Sequence, residues 1–359
     1  MKNKKIKGGV LGVTDPHSGA HIRTLELLDE IHSIVLWDEN NSSVEEFQIR
    51  SNSKFEIGKS SFDEIMNRDD IPIVISLAKN NQNPDWIRRA AEAGKHVLTE
   101  KPVAAKSQDM PALLNSIRHS GVHLGVYYTW RSHPIVKDLK EIIESGVIGK
   151  LLSVEGRMVT SQVRFRDPSH WLFQKQLSGG GILSWLACHW IDVIRYITGD
   201  EVKAVSSMVD TLNEQDIDVE DTAAVIMQLG NGAIASLHAG YLLPISQTGY
   251  MLGSYDTYLS FRGLEGNITW YPTEQERPVI IETTSKVWNS TPRRELRYVV
   301  SETDGYGGQY GQDFVSQFIT SAMRGDPPVN DGENALRVLK IIEAAYESSK
   351  TGCRILLDK

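Results

Sequence analysis

Cysteine is nearly absent. The 359 residues hold two, Cys188 and Cys353, and neither belongs to a C-x-x-C pair. A disulfide framework and a structural zinc site are therefore both excluded, and a reducing compartment is expected. Long apolar runs are lacking too. The longest charge-free stretch, Thr222–Tyr255, is broken by Gly230-Asn231-Gly232 and contains His238 and Pro244, so it reads as a hairpin and not a membrane span. The N-terminus is basic, but the apolar run before Thr14-Asp15-Pro16 is only about five residues, short of a signal-peptide core. The expected location is cytoplasmic. Positive charge is not in excess: the net charge is −8, which argues against a nucleic-acid partner. Internal repeats and low-complexity linkers are missing. With 40% hydrophobic and 23% charged residues, the chain has ordinary folded composition. Tryptophan is plentiful. There are eight, as many as phenylalanine, and Trp130, Trp171, Trp185 and Trp190 fall close together.

A single core rarely grows past roughly 250–300 residues, so two domains are expected. The first part alternates strand and helix. Strands are predicted at Ile6–Val13, Ser33–Trp37, Lys54–Ile57, Ile71–Ala78, His96–Thr99 and Val122–Tyr128. Helices are predicted at Ser18–Asp29, Val44–Arg50, from Phe62, at Pro84–Ala93 and at Met110–His119. Pro84 near the start of its helix and Gly94 past the end follow the usual asymmetry. Repeated β-α-β units with short connections imply a parallel sheet between helices. After about residue 130 and one more helix, Pro134–Ser145, strands dominate: 151–160, 202–211, 222–229, 233–241, 258–261 and 267–271. Helices are interspersed at 182–198, 309–324 and 334–350. Gly-Asn-Gly marks a hairpin over 222–241.

In a dinucleotide fold the pyrophosphate sits at the turn between the first strand and first helix. That turn reads Gly12-Val-Thr14-Asp15-Pro-His17-Ser18-Gly19, with only the first glycine of G-x-G-x-x-G in place. Ser18 and Gly19 could still turn backbone N–H groups to a phosphate. Asp38 ends the second strand, where an acidic residue bonds ribose hydroxyls. Glu39, Asn40 and Asn41 follow it, with no basic residue for a 2′-phosphate, so NAD is preferred over NADP. The plainer alternative is that Asp38 only ends a strand.

Residues 94–104 read Gly-Lys-His-Val-Leu-Thr-Glu100-Lys101-Pro-Val-Ala. Together with the preceding strand and Asn80, they resemble the A-G-K-H-V-x-x-E-K-P segment of the glucose–fructose oxidoreductase / inositol dehydrogenase / MocA family. The resemblance runs on through Arg131-Ser-His-Pro134, Ser145-Gly-Val-Ile-Gly-Lys150 and Gly179-Gly-Gly181 with His189 and Asp192. Glu220-Asp221-Thr, Asn231-Gly-Ala and Gly263-Leu-Glu-Gly266 also fit. It implies an α/β protein: an N-terminal Rossmann dinucleotide-binding domain, here 1–128, and a C-terminal α/β domain, here 129–359. The second domain is expected to carry a large, mostly antiparallel open sheet through which copies associate as a homodimer or homotetramer. Implied activities are NAD(P)-dependent oxidation or reduction of sugars, polyols and cyclitols. The cofactor set carried over is Gly12, Thr14, His17, Ser18, Asp38, Asn80, Asn83, Glu100 and Lys101. No metal is implied.

Oxidising a secondary alcohol sends a hydride to nicotinamide and the hydroxyl proton to a base. Lys101 follows a strand at the carboxyl edge of the parallel sheet, where a neighbouring nicotinium and partial burial would lower its proton affinity. The resemblance makes it the catalytic or orienting lysine; otherwise it is a solvated lysine before a turn. His189 is expected to do acid/base work, or else to be a hydrogen-bonded core histidine. Trp185, His189, Asp192 and Tyr196 would share one helix face, with Asp192 orienting the site or serving the fold.

The substrate wall is expected to include Arg131, Arg166, His170, Trp171, Trp185, His189 and Asp192. Arg164 and Arg166 are suited to a carboxylate, as of a uronate, or else the loop is merely solvated. The chain departs from the family where Trp185 replaces an aspartate, Ala187 a glycine, Lys79 a proline and Asn83 a histidine. An indole in place of the carboxylate offers a flat surface for the C–H face of a sugar. Three functions are weighed: an NAD-dependent oxidoreductase of a sugar, cyclitol or glycoside; redox-assisted glycoside cleavage with no net NADH; and a cofactor- or sugar-binding regulatory protein without catalysis.

Overall fold

The structure, a computed structural model, describes residues 5–50, 54–56, 61–249 and 253–357. The basic residues 1–4, Ile57 of the expected fifty-series strand and residues 250–252 of the charge-free stretch lie outside the described residues. The chain divides into two compact units: residues 1–132 with 300–336, and residues 133–299 with 337–359.

In the first unit β1 (Ile6–Leu11), α1 (Ser18–Leu27), β2 (Ile31–Trp37), α2 (Asn41–Arg50), α3 (Phe62–Met66), β3 (Ile73–Ser76), α4 (Asn83–Glu92), β4 (His96–Thr99), α5 (Met110–Ser120) and β5 (Leu124–Val126) follow in order. Among the described residues the strands form one parallel sheet of order β2-β1-β3-β4-β5. The order reverses between β1 and β3, so the crevice for a ligand opens at their carboxyl ends. Local chemistry sets the boundaries. Ser61 and Glu64 make a capping box on α3, and Gly94 and Gly121 take φ of +73° and +65° after α4 and α5. In place of a strand at Lys54–Ile57 there is a single parallel bridge from Phe55 to Ile34.

The second unit holds α6 (Pro134–Glu144), β6 (Leu151–Ser161), α7 (Lys175–Ser178), α8 (Cys188–Thr198), β7 (Val202–Asp210), β8 (Thr222–Leu229), β9 (Ile234–Leu243), β10 (Tyr255–Gly263), β11 (Gly266–Trp270), β12 (Val279–Thr283) and β13 (Arg293–Leu296). Then come α9 (Gly308–Arg324) in the first unit, α10 (Gly332–Thr351) and β14 (Ile355–Leu356). The second sheet has the order β13-β12-β11-β10-β6-β9-β8-β7-β14. Its pairs are antiparallel except β6 with β9, which run parallel at its middle. Period-two alternation buries Ala223, Val225, Met227 and Leu229 on one face of β8. The opposite face of the sheet exposes Met208, Ile226 and Ile234. Within the helical stretch Lys175–Thr198, long and apolar enough for a membrane span, the most apolar window is 89% buried, as in a core helix.

Two expectations need correction. The domain expected to run without interruption over 129–359 does not, because residues 300–336 fold with the first unit. There Phe314, Val315, Phe318 and Ile319 of α9 enter the same core as Val10, Ile22, Ile75 and Leu98. The helix expected over 182–198 is also not uniform: residues Leu183–Ala187 form a π turn before α8. At Gly125 of β5 a Cβ would lie 2.6 Å from the Phe318 ring. Gly125→Ala should therefore destabilise the protein by about 1–3 kcal/mol through overpacking. Thermal denaturation checks this, and an unchanged midpoint would contradict the α9 packing.

Candidate functional site

The carboxyl ends of β1 and β3 approach closely. Gly12 takes φ +92°, and a Cβ there would lie 2.8 Å from the Leu77 carbonyl oxygen, so only glycine suits the place. Asp38, just past β2, accepts the Val13 N–H on Oδ2 at 2.7 Å and the Asn40 N–H on Oδ1 at 2.8 Å. It thus ties the end of β2 to the β1–α1 turn. In that turn Thr14 is exposed. The Ser18 hydroxyl, at the start of α1, is buried with no hydrogen-bond partner among the described residues. Asp15, missed as a site residue, is buried and accepts the His17 N–H at 2.8 Å. Burial, reinforced by the nearby Glu100 charge, pushes its carboxyl up to about 7.

Glu100 and Lys101 follow β4, and both are buried, Lys101 at 0% exposure. Glu100 Oε1 accepts from His21 Nε2 at 2.7 Å and lies 3.4 Å from His17 Nδ1. Its Oε2 accepts the Lys101 N–H at 2.9 Å and lies 3.6 Å from the Lys101 ammonium. Burial alone would raise the Glu100 carboxyl. The Lys101 charge and the two histidines outweigh it and hold the group well below the usual carboxylate range. Burial pushes His17 down and Tyr127 up. His21, also missed, lies between Tyr127 and Tyr306 with ring centroids 4.2 Å away on each side. His17 and His21 share a helix face one turn apart, a signal present in the sequence. His17, His21 and Glu100 offer atoms within 4.8 Å of one another, a spacing a metal ion could use.

Asn80 is buried, and its backbone carbonyl accepts the Ala105 N–H. Asn83 is turned inward. Its amide donates to Thr99 Oγ1 and the Val103 carbonyl, both at 2.9 Å, and accepts from Ser76 Oγ at 2.7 Å. It therefore braces β3 and β4 against the loop after Pro102. Arg131, half-buried, is the one expected substrate residue that falls in the first unit.

In the second unit the three glycines precede the π turn. Gly179 takes φ +84°. A Cβ on Gly180 would collide with the Tyr346 hydroxyl, and one on Gly181 with the Glu220 carbonyl. Glu220 is buried at this helix start. It accepts the Gly181 N–H at 2.7 Å, the Leu183 N–H at 2.9 Å and the Tyr346 hydroxyl at 2.9 Å. A carboxylate suits the positive end of the helix dipole, although burial still raises its pKa.

Beyond this cap, Trp185, His189 and Asp192 are all buried. They do not stand out on a separate polar face, because Cys188–Arg195 are buried all round the helix. Trp171 meets Trp185 edge-on, with centroids 6.4 Å apart and planes at 87°. Trp190 donates to the Tyr258 carbonyl in the core. Arg166 donates to Thr160 Oγ1 at 3.1 Å and lies over the Tyr241 ring. His170 accepts the Leu172 N–H, and the exposed Arg164 donates to the Pro244 carbonyl.

Since Glu220 satisfies two backbone donors and a hydroxyl, Glu220→Ala should cost about 1–3 kcal/mol in chemical denaturation. Glu220→Gln, which retains one acceptor, should cost less. Wild-type stability in both variants would show that the cap does not hold this turn.

Comparison with known proteins agrees with this architecture. Residues 6–128 match the oxidoreductase family with an NAD-binding Rossmann fold, and residues 136–269 match the GFO/IDH/MocA C-terminal domain. A D-xylose 1-dehydrogenase (NADP(+)) of Haloferax volcanii is 25% identical over 301 residues, covering 83% of this chain and 84% of the relative. A myo-inositol 2-dehydrogenase of Thermotoga maritima is 25% identical over 334 residues, covering 91% and 92%. The fold also matches a levoglucosan dehydrogenase in complex with NADH and L-sorbose. The TM-score is 0.82 at 22% identity, covering 99% of this chain and 100% of the other. The chain belongs to the GFO/IDH/MocA family of oxidoreductases, a family of NAD(P)-dependent sugar and cyclitol dehydrogenases.

Proposed function

We propose that this chain transfers a hydride between a nicotinamide cofactor and a secondary hydroxyl of a sugar, cyclitol or glycoside, with Lys101 and His189 handling the proton. The observation that carries the reading is the fully buried Lys101 beside Glu100, at the carboxyl end of β4. An ammonium in that place can bond a substrate oxygen and hold or release its proton. Glu100 orients the ammonium, which can donate to the substrate oxygen while the hydroxyl proton passes to the neutral His189 imidazole.

The first unit suits a dinucleotide on two counts. Gly12 leaves room for close backbone approach, and the buried Ser18 hydroxyl, at the start of α1, is a donor without a partner among the described residues. Bound there, the nicotinamide would supply the hydride acceptor or donor. Asp38 would bond the ribose hydroxyls, and its negative charge disfavours a 2′-phosphate, so we assign NAD over NADP. In the second unit His189 would serve as acid or base. Trp171 and Trp185 would present apolar edges to the sugar's C–H groups. Guanidinium contacts of Arg166 with Thr160 and Tyr241 favour a neutral polyhydroxyl substrate over a uronate.

A sugar and cyclitol panel followed by nicotinamide absorbance should yield reduced cofactor. Lys101→Ala should lower kcat by about 10²–10⁴ while the cofactor still binds; normal turnover would remove Lys101 from the chemistry. Asp38→Ala should weaken NAD binding and narrow its preference over NADP in titration calorimetry. Unchanged affinities for both would refute the ribose role.

A further inference from the structure

Asp15 plays no part in the chemistry above. It stands in the β1–α1 turn, where a dinucleotide fold turns backbone N–H groups and a helix N-terminus toward a pyrophosphate. A carboxylate is ill suited to that place, because it carries the ligand's own sign. The side chain is nonetheless buried at 6% exposure. Its Oδ1 accepts the His17 N–H at 2.8 Å, and its backbone carbonyl accepts the Ser18 N–H at 3.0 Å. One donor of this turn that would serve an incoming anion, the His17 N–H, is thus already held by the chain's own carboxylate.

We propose that Asp15 sets the affinity of this turn for the dinucleotide, its carboxylate opposing the pyrophosphate's charge and competing with it for the His17 N–H. The proposal rests on the reading that the first unit binds NAD or NADP. Glu100 and Lys101 act on Asp15 from the end of β4, and His17 from its own turn. Glu100 stays ionised and adds repulsion; the Lys101 ammonium offsets part of it.

Burial has pushed the Asp15 carboxyl up to about 7, with Glu100 as the second cause. Below that value Asp15 is neutral and repels nothing; above it the full charge opposes a ligand that is itself anionic throughout. Cofactor affinity therefore rises as pH falls through neutrality.

The test is the dissociation constant of NADH, and separately NADPH, read by fluorescence on the full chain at about pH 6 and about pH 8.5. Wild type should bind about tenfold more weakly at the higher pH. Asp15→Asn should bind about tenfold tighter than wild type at the higher pH, with the pH dependence flattened. Asp15→Gly, which lacks the side chain altogether, should show the same loss of pH dependence and provides a second reading if the asparagine variant folds poorly. Variants that bind no tighter than wild type and keep its pH profile would overturn the role of Asp15 alone. A wild type that binds neither nucleotide at either pH would overturn the cofactor reading and this inference with it.

Discussion

The buried charge of Glu100 is the constraint on which the first unit depends. An ionised carboxylate in the interior costs several kcal/mol unless it is paired and hydrogen-bonded. Here Lys101, His17, His21 and the Lys101 N–H all converge on it. That requirement explains features far apart in the chain. His21 comes from α1, and its ring lies between Tyr127 after β5 and Tyr306. Tyr306 belongs to the segment 300–336, so the return of the chain into the first unit completes the surroundings of the same histidine. Lys101 is fully buried beside Glu100, and Glu100 in turn meets both histidines.

The second unit repeats the device with a different chemistry. Glu220 is a buried carboxylate whose partners are backbone donors of a helix start and the Tyr346 hydroxyl, with no cation among the bonds it accepts. Three glycines allow the close approach: one for its positive φ, two because a side chain would strike Tyr346 or the Glu220 carbonyl. The π turn that follows, a feature common at functional sites, carries Trp185 and leads into His189.

Much of this was legible in the sequence, and what was not has definite causes. β-α-β alternation and the Gly-Asn-Gly hairpin are local patterns, and both gave the right elements. The Glu-Lys-Pro segment stood out through its family resemblance, and Glu100 and Lys101 are buried just past β4. Strands β12, β13 and β14 escaped because they are short, and β13 carries the charges expected of an edge strand. The return of 300–336 is a long-range packing event with no local signature. Asn83 read as a cofactor residue by position, yet three inward hydrogen bonds engage its amide, a fact set by Ser76, Thr99 and Val103 together. His21 and Asp15 were passed over because each looks ordinary until burial and neighbours are known. The tryptophan excess resolves in part: Trp190 packs in the core, whereas Trp171 and Trp185 form an edge-on pair.

Direct hydride transfer between a sugar-like carbon and nicotinamide is the step on which the proposed function stands. It is tested most directly by incubating the protein with NAD and a turned-over polyol carrying deuterium at each candidate C–H carbon, then reading the reduced cofactor by mass spectrometry and NMR. The account requires deuterium on nicotinamide C4, on one face only, and a ketone or lactone at the labelled carbon. Consumption of the polyol with no deuterium in the cofactor would contradict it.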